Sequence, residues 1–106
     1  MMTHMPNPRT RFKLISDTYN GWLLVTPGEL RSAGITAQEI TPRSHRDVTG
    51  ETIALDEDND AHIFLRAWEA MLGRPVEIVD SVAHLKFVHT WPPFGTKSVP
   101  GIGQGV

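Results

Sequence analysis

The fold of this 106-residue chain is decided by residues 56–73, which read DEDNDAHIFLRAWEAMLG. From residue 60 onward, apolar side chains recur at the spacing of one helical face: Ala61, Phe64, Leu65, Trp68, Met71 and Leu72. The acidic run ahead of them suits the positive end of a helix dipole, and Gly73 stops the pattern. The sequence therefore predicts one amphipathic α-helix over residues 60–72, with Phe64, Trp68 and Met71 buried.

A second, shorter helix is predicted upstream of the main one. Thr26 can cap it, Pro27 suits its first position, and Glu29 can reach back to the cap and complete a capping box. Gly34 suits the left-handed residue at which helices commonly stop. We therefore expect a short capped helix over residues 27–33.

The remaining periodic segments are typical of strands joined by turns. Asn20-Gly21 is a strong turn signal, and the two extended runs around Val48-Thr49-Gly50 indicate a hairpin. The predicted strands are residues 9–16 (an edge strand), 21–25, 43–47, 51–55, 76–79 and 84–89, with turns at 36–40 and 80–83. This order predicts an α+β fold, with a small, mostly antiparallel sheet packed against the main amphipathic helix and the short capped helix.

The composition indicates a single folded domain with irregular ends. Of the nine glycines and eight prolines, nine residues lie within the first nine or the last fifteen positions. Both ends lack the apolar periodicity needed to offset the entropy of ordering. We expect residues 1–10 to form a flexible basic arm, residues 11–91 the α+β domain, and residues 92–106 a flexible tail rich in proline and glycine.

Charge and composition argue against several classes of function. The formal net charge of −2 favours neither nucleic acid nor anionic lipid, and the absence of cysteine excludes disulfides and thiolate zinc sites. The longest apolar run, Trp22–Val25, is far too short to cross a membrane, and the first six residues lack the apolar core of a signal peptide. We expect a cytoplasmic protein without a membrane partner.

Two stretches carry a resemblance to other proteins. GWLLVTP at residues 21–27 and LDEDNDA at residues 55–61 together resemble a set of small uncharacterised bacterial proteins, often found in phage- and plasmid-like settings. The resemblance covers about residues 12–91 and implies an accessory protein of a mobile element, with no activity attached. The chain departs from that pattern at Asn59, where cysteine is common, and at residues 43–45, where Ser-Tyr repeats are common.

The acidic run raises the alternative of a metal-dependent or hydrolytic site. Asp56, Asp58 and Asp60 have the alternate spacing of the first three ligands of a calcium loop, and His62 follows them. The rest of that loop fails, because its sixth and twelfth positions are both alanine. The simpler interpretation is that these carboxylates are end-charges of the helix, with Asp58 or Asn59 capping it.

Two groups of basic residues raise the alternative of nucleic-acid binding. Arg9, Arg11 and Lys13 alternate along the amino-terminal strand, and Arg43 and Arg46 lie in the hairpin. Alternation would place the first three on one side, where they could meet phosphates. Cations on an edge strand also serve solubility and prevent edge-to-edge pairing.

The segment Trp91-Pro92-Pro93-Phe94 allows two interpretations. Trp91 could fold back over the sheet as a lid, or the two rings could form an exposed patch that anchors a partner. The chain contains no nucleophile elbow and no phosphate-binding glycine loop between a strand and a helix. We therefore expect a non-enzymatic accessory or regulatory module without a cofactor, acting through a protein partner or as a homo-oligomer.

Overall fold

The computed structural model describes residues 8–16, 20–82 and 91–96. The elements are strands β1 (Arg11–Ser16), β2 (Gly21–Val25), β3 (Ser44–Arg46), β4 (Ile53–Asp56), β5 (Glu77–Val82) and β6 (Pro93–Phe94), helices α1 (Pro27–Ser32) and α2 (Asp60–Leu72), and a 3-10 turn at Ala37–Glu39. Within these residues, six strands form one sheet in the order β5-β1-β2-β4-β3-β6. Every described strand pair is antiparallel except β1 with β5. The predicted α+β fold is confirmed.

The short helix α1 forms for the reasons visible in its sequence. The backbone N–H of Glu29 donates to the Thr26 hydroxyl at 3.1 Å, and the Thr26 N–H donates to the Glu29 carboxylate at 2.9 Å, which completes the capping box. At the other end Gly34 adopts a φ of 76°, and the Ile35 N–H donates to the Leu30 carbonyl at 3.0 Å. The paired caps explain why six residues suffice for a helix here.

The main helix α2 spans residues 60–72 as predicted and ends at Gly73 with a φ of 77°. Phe64 and Trp68 are buried against Phe12 of β1, with ring centroids 5.4 and 5.8 Å from it in edge-to-face geometry. The expectation that Met71 is buried was wrong, because its side chain is 44% exposed. Met71 lies in the last turn and at the border of the apolar arc, where the helix no longer faces the sheet.

The position of β1 corrects the predicted edge strand. β1 lies inside the sheet, because β5 pairs with it in parallel over six residues, from Arg11 opposite Glu77 to Ser16 opposite Val82. β5 also continues through Asp80, Ser81 and Val82, so the turn predicted at residues 80–83 was wrong for those three positions, and residue 83 lies outside the described residues. The strand predicted at residues 84–89 lies outside the described residues.

The sheet separates two apolar clusters. On its helix-bearing face, α1 and α2 pack on the main core, which includes Phe12, Leu23 and Leu55. On the opposite face a smaller cluster contains the buried residues Ile15, Trp22 and Ala54, with Leu24 and Trp91 packed against it. Among the described helices, neither is long and apolar enough to cross a membrane.

Candidate functional site

The segment from Trp91 to Phe94 packs against its own chain. Trp91 covers part of the small cluster, which confirms the lid, and Phe94 packs against the main core. Pro93 and Phe94 pair with β3, so the sheet continues past residue 91, where we had placed the end of the folded domain. Only Pro92 and Pro93 of this segment are exposed. The two rings proposed as partner anchors are thus engaged within the fold.

Gly95 fixes the path of the chain just after this segment. Its φ is 92°, and an added Cβ would collide with the carbonyl oxygen of Ile40. The next residue, Thr96, donates its backbone N–H to the Ala37 carbonyl at 2.9 Å. This close approach holds the segment against the 3-10 turn.

Asp60 has a structural role that its place in the acidic run did not suggest. Its side chain is fully buried, and Oδ2 accepts hydrogen bonds from the Thr41 N–H (3.1 Å), the Thr41 hydroxyl (2.7 Å) and the Ser44 hydroxyl (2.6 Å). Asn59 occupies the N-cap position, but its side chain does not cap the helix and instead donates to Asp60 at 3.0 Å. The expected role of Asp58 or Asn59 as a side-chain cap is therefore not seen for Asn59.

The remaining members of the proposed metal site lie in different surroundings. Asp56 is buried at the end of β4, whereas Asp58 and His62 are exposed beside α2. Burial, reinforced by the nearby Asp58 and Asp60, raises the pKa of Asp56, and Arg43 opposes that shift. Among the residues that the structure describes, no three His, Asp or Glu side chains are placed to hold a metal ion together.

The basic residues are likewise divided among several surroundings. Arg9 forms a two-pronged ion pair with Glu29 at 2.6 and 2.8 Å, and its guanidinium lies 4.4 Å from the ring centroid of Phe12. Arg11 pairs with Glu77 on β5 at 3.1 Å. Because acidic partners already neutralise two of the five cations, the described surface offers no uninterrupted basic stripe for phosphates.

Arg43 and Arg46 belong to the hairpin end of the molecule. Both are exposed, and the Arg46 backbone N–H donates to the Pro92 carbonyl at 2.9 Å, which anchors the Trp91–Phe94 segment to β3. The fifth cation, Lys13, is exposed on β1, which β2 and β4 separate from β3 in the sheet order. The sheet therefore does not bring the two basic groups together.

The candidate protein-binding site is the outer edge of β5. Within the described part of the chain, β5 is the last strand on its side of the sheet, and it pairs only with β1. Ile78 and Val79, which are 37% and 36% exposed, make this strand unusually apolar for a surface edge. Such an edge presents backbone groups that can pair with a strand from another chain.

An apolar groove lies beside this edge, on the helix-bearing face of the sheet. Its volume is about 130 Å³. The apolar lining consists of Leu14, Leu23, Ala61, Leu65 and Ile78, with Glu57 and His62 as polar neighbours. The groove is therefore formed where α2 leaves the β1–β5 side of the sheet partly uncovered.

Sequence reasoning missed this edge because it placed β1, and not β5, at the border of the sheet. Comparisons with protein-family models, with characterised proteins and with solved structures find no match to this chain.

Proposed function

We propose that this domain is a non-enzymatic accessory module that binds a protein partner by adding one strand of that partner to β5. The observation that carries the proposal is the coincidence of an apolar edge strand with the apolar groove next to it. An accessory role is also what the resemblance to proteins of phage- and plasmid-like settings implies.

The backbone of β5 shows which groups the partner would meet. The Glu77 N–H points toward β1, since it donates to the Thr10 carbonyl at 2.8 Å. Because backbone groups alternate in direction along a strand, Val79 also faces β1, whereas Ile78 and Asp80 direct their N–H and C=O groups outward. These outward groups are the pairing positions for an added strand.

The side chains near the edge indicate the chemistry of the partner strand. Every second residue of that strand would point toward the apolar groove beside Ile78. Glu57 in the groove and Asp80 on β5 add negative charge there. Asp80 lies on the same face as Ile78, since strand residues two apart share a face. The fitting partner is therefore an extended segment whose groove-facing residues, at every second position, include both apolar side chains and a lysine or arginine.

Selection of peptides from a displayed random library on the full chain tests this proposal. We expect enrichment of sequences that carry both apolar and basic residues at every second position, on one face of an extended strand, and binding should shift the NMR resonances of the Ile78 and Asp80 amides. Asp80→Pro removes an outward N–H and should abolish binding while keeping the fold, since edge strands tolerate proline. Asp80→Ala is the matched control: it keeps the outward N–H and removes only the charge, so it should still bind, with lower affinity.

Two further measurements keep the test decisive. Ile78→Lys should also abolish binding, because it places a charged side chain where the apolar groove receives the partner's apolar residues. Self-association that is lost in Asp80→Pro would support strand addition and identify a second copy of the chain as the partner. If the Ile78 and Asp80 amides of the free monomer resist hydrogen exchange as strongly as those of β2, the edge is already occupied and the proposal fails.

A further inference from the structure

One flank of α2 borders a surface depression of about 550 Å³. This outer flank is formed by Asp58, His62, Ile63, Arg66, Ala67 and Ala70. Within the described part of the chain, the depression is lined only by α2 and the two residues before it. Of those residues, only His62 also borders the groove beside β5. The outer flank is therefore largely separate from the proposed strand-binding edge.

The outer flank has an apolar strip that a second helix could contact. Ile63, Ala67 and Ala70 recur at helical spacing, so they lie along one side of α2. Ala70 is exposed, whereas Ile63 and Ala67 are partly buried, since they also pack against the main core. The two alanine side chains are small, so the axis of a second helix can approach to about 8–10 Å.

Two opposite charges lie on the outer flank, on either side of His62. Asp58 precedes His62 by four residues, Arg66 follows it by four, and all three side chains are exposed. Neither Asp58 nor Arg66 forms an ion pair with another described residue. A two-fold rotation about His62 exchanges the two charged positions. The outer flank is therefore complementary in charge to its own copy, as an isologous interface requires.

We propose that the outer flank of α2 binds the outer flank of a second copy of this chain, with the two helices antiparallel about a two-fold axis near His62. Asp58 then lies beside Arg66 of the partner subunit, and the symmetry repeats this contact. Ile63, one residue from the axis, packs against Ile63 of the partner subunit. The interface thus has an apolar centre between two ion pairs.

The charges select the direction in which the two helices pack. In a parallel pair equivalent residues meet, so Asp58 would face Asp58 and Arg66 would face Arg66, whereas the antiparallel pair joins opposite charges. The contact is small, because α2 has 13 residues and such a helix is about 20 Å long. We therefore expect a weak dimer that exchanges with the monomer at micromolar concentrations.

Sedimentation velocity of the full chain, from low micromolar to millimolar concentration, tests the proposal. The unchanged chain should show a monomer–dimer equilibrium. Asp58→Arg and Arg66→Asp should each weaken dimerisation by about tenfold or more, because each variant places two pairs of like charges in the interface. Arg74→Asp is the matched control: it reverses an exposed arginine just after α2 and should change the dimer affinity by less than about threefold.

An equimolar mixture of the two single variants separates the proposal from damage to the fold. In the mixed dimer both contacts again join an arginine to an aspartate, so the mixture should dimerise more tightly than either variant alone. Asp80→Pro should leave this dimer unchanged. Association that is lost in Asp80→Pro but kept in Asp58→Arg would place the second copy at β5 and overturn the inference. A chain that stays monomeric throughout, or a mixture that gains nothing, would overturn it as well.

Discussion

Asp60 holds a buried hydrogen-bond network together, a role that its position in the acidic run does not indicate. Its Oδ2 atom gathers three donors from Thr41 and Ser44, which lie 16 to 19 residues earlier in the chain. The Ser44 hydroxyl in turn accepts from the Asp56 N–H at 2.8 Å, so this network joins the start of α2 to β3 and β4. Charge-assisted bonds of this kind hold a buried network together.

We therefore expect Asp60→Ala to lower the free energy of unfolding by about 3 kcal/mol, because it leaves buried donors without an acceptor. Asp58→Ala is the control, since Asp58 is exposed, and should change stability by less than about 0.5 kcal/mol. Urea denaturation of both variants measures the difference. Similar losses in the two would show that the Asp60 network contributes little.

At the scale of single elements, α1 depends on Glu29, which serves both the capping box and the ion pair with Arg9. Burial alone would raise the pKa of Glu29, but hydrogen bonds from Arg9 and Thr26 outweigh it and lower the pKa. Since the folded-state pKa lies below the unfolded one, the stabilisation is present above the unfolded pKa. It is lost as the pH falls through the folded pKa.

Glu29→Gln should accordingly cost about 1 kcal/mol at pH 7. The difference from the unchanged protein should shrink as the pH falls below about 4, where both chains carry a neutral group. Thermal unfolding across pH 3 to 7, roughly the span in which glutamates titrate, measures this effect. Glu51→Gln, at an exposed position, is the control, and a pH-independent loss in Glu29→Gln would contradict the assignment.

The docking of β6 provides a second test at this scale. Gly34 and Gly95 both have positive φ, but only Gly95 is enclosed, by the backbone of Ile40 and Thr41. Gly34→Ala should cost about 1 kcal/mol from backbone strain alone. Gly95→Ala adds a collision with rigid backbone and should cost at least about 2 kcal/mol. Chemical denaturation compares the two, and equal losses would mean that the close approach is not maintained in solution.

For the molecule as a whole, the two apolar clusters share the backbones of β2 and β4, although they lie on opposite faces of the sheet. They should therefore unfold together. Trp91→Ala removes the ring that covers the smaller cluster and should destabilise the protein by about 2 kcal/mol. Urea unfolding is followed by far-UV circular dichroism and by tryptophan fluorescence. In the unchanged protein, and again in Trp91→Ala, the two probes should give the same midpoint. Separate midpoints would show two independent units.

Local signals in the sequence were sufficient for the helices and the hairpin. The capping box at Thr26, the glycine stops and the apolar period of α2 each act within a few residues, so a linear pattern records them. Local patterns could not identify β5 as the candidate binding edge. Its identity depends on β1 pairing with β5, whose partners are 66 positions apart, and no local pattern encodes that distance.

By itself, the sequence determined both helices, strands β1 to β4, the α+β class and the boundaries of α2, because propensity, capping and periodicity are properties of neighbouring residues. Only the tertiary structure decided which strand lies at the edge and which carboxylate of the acidic run joins a buried hydrogen-bond network. The physical reason is that burial and hydrogen bonding depend on groups from distant segments. Asp56 and Asp60 differ because Thr41 and Ser44 provide donors to one carboxylate oxygen, and no described residue does so for Oδ2 of the other.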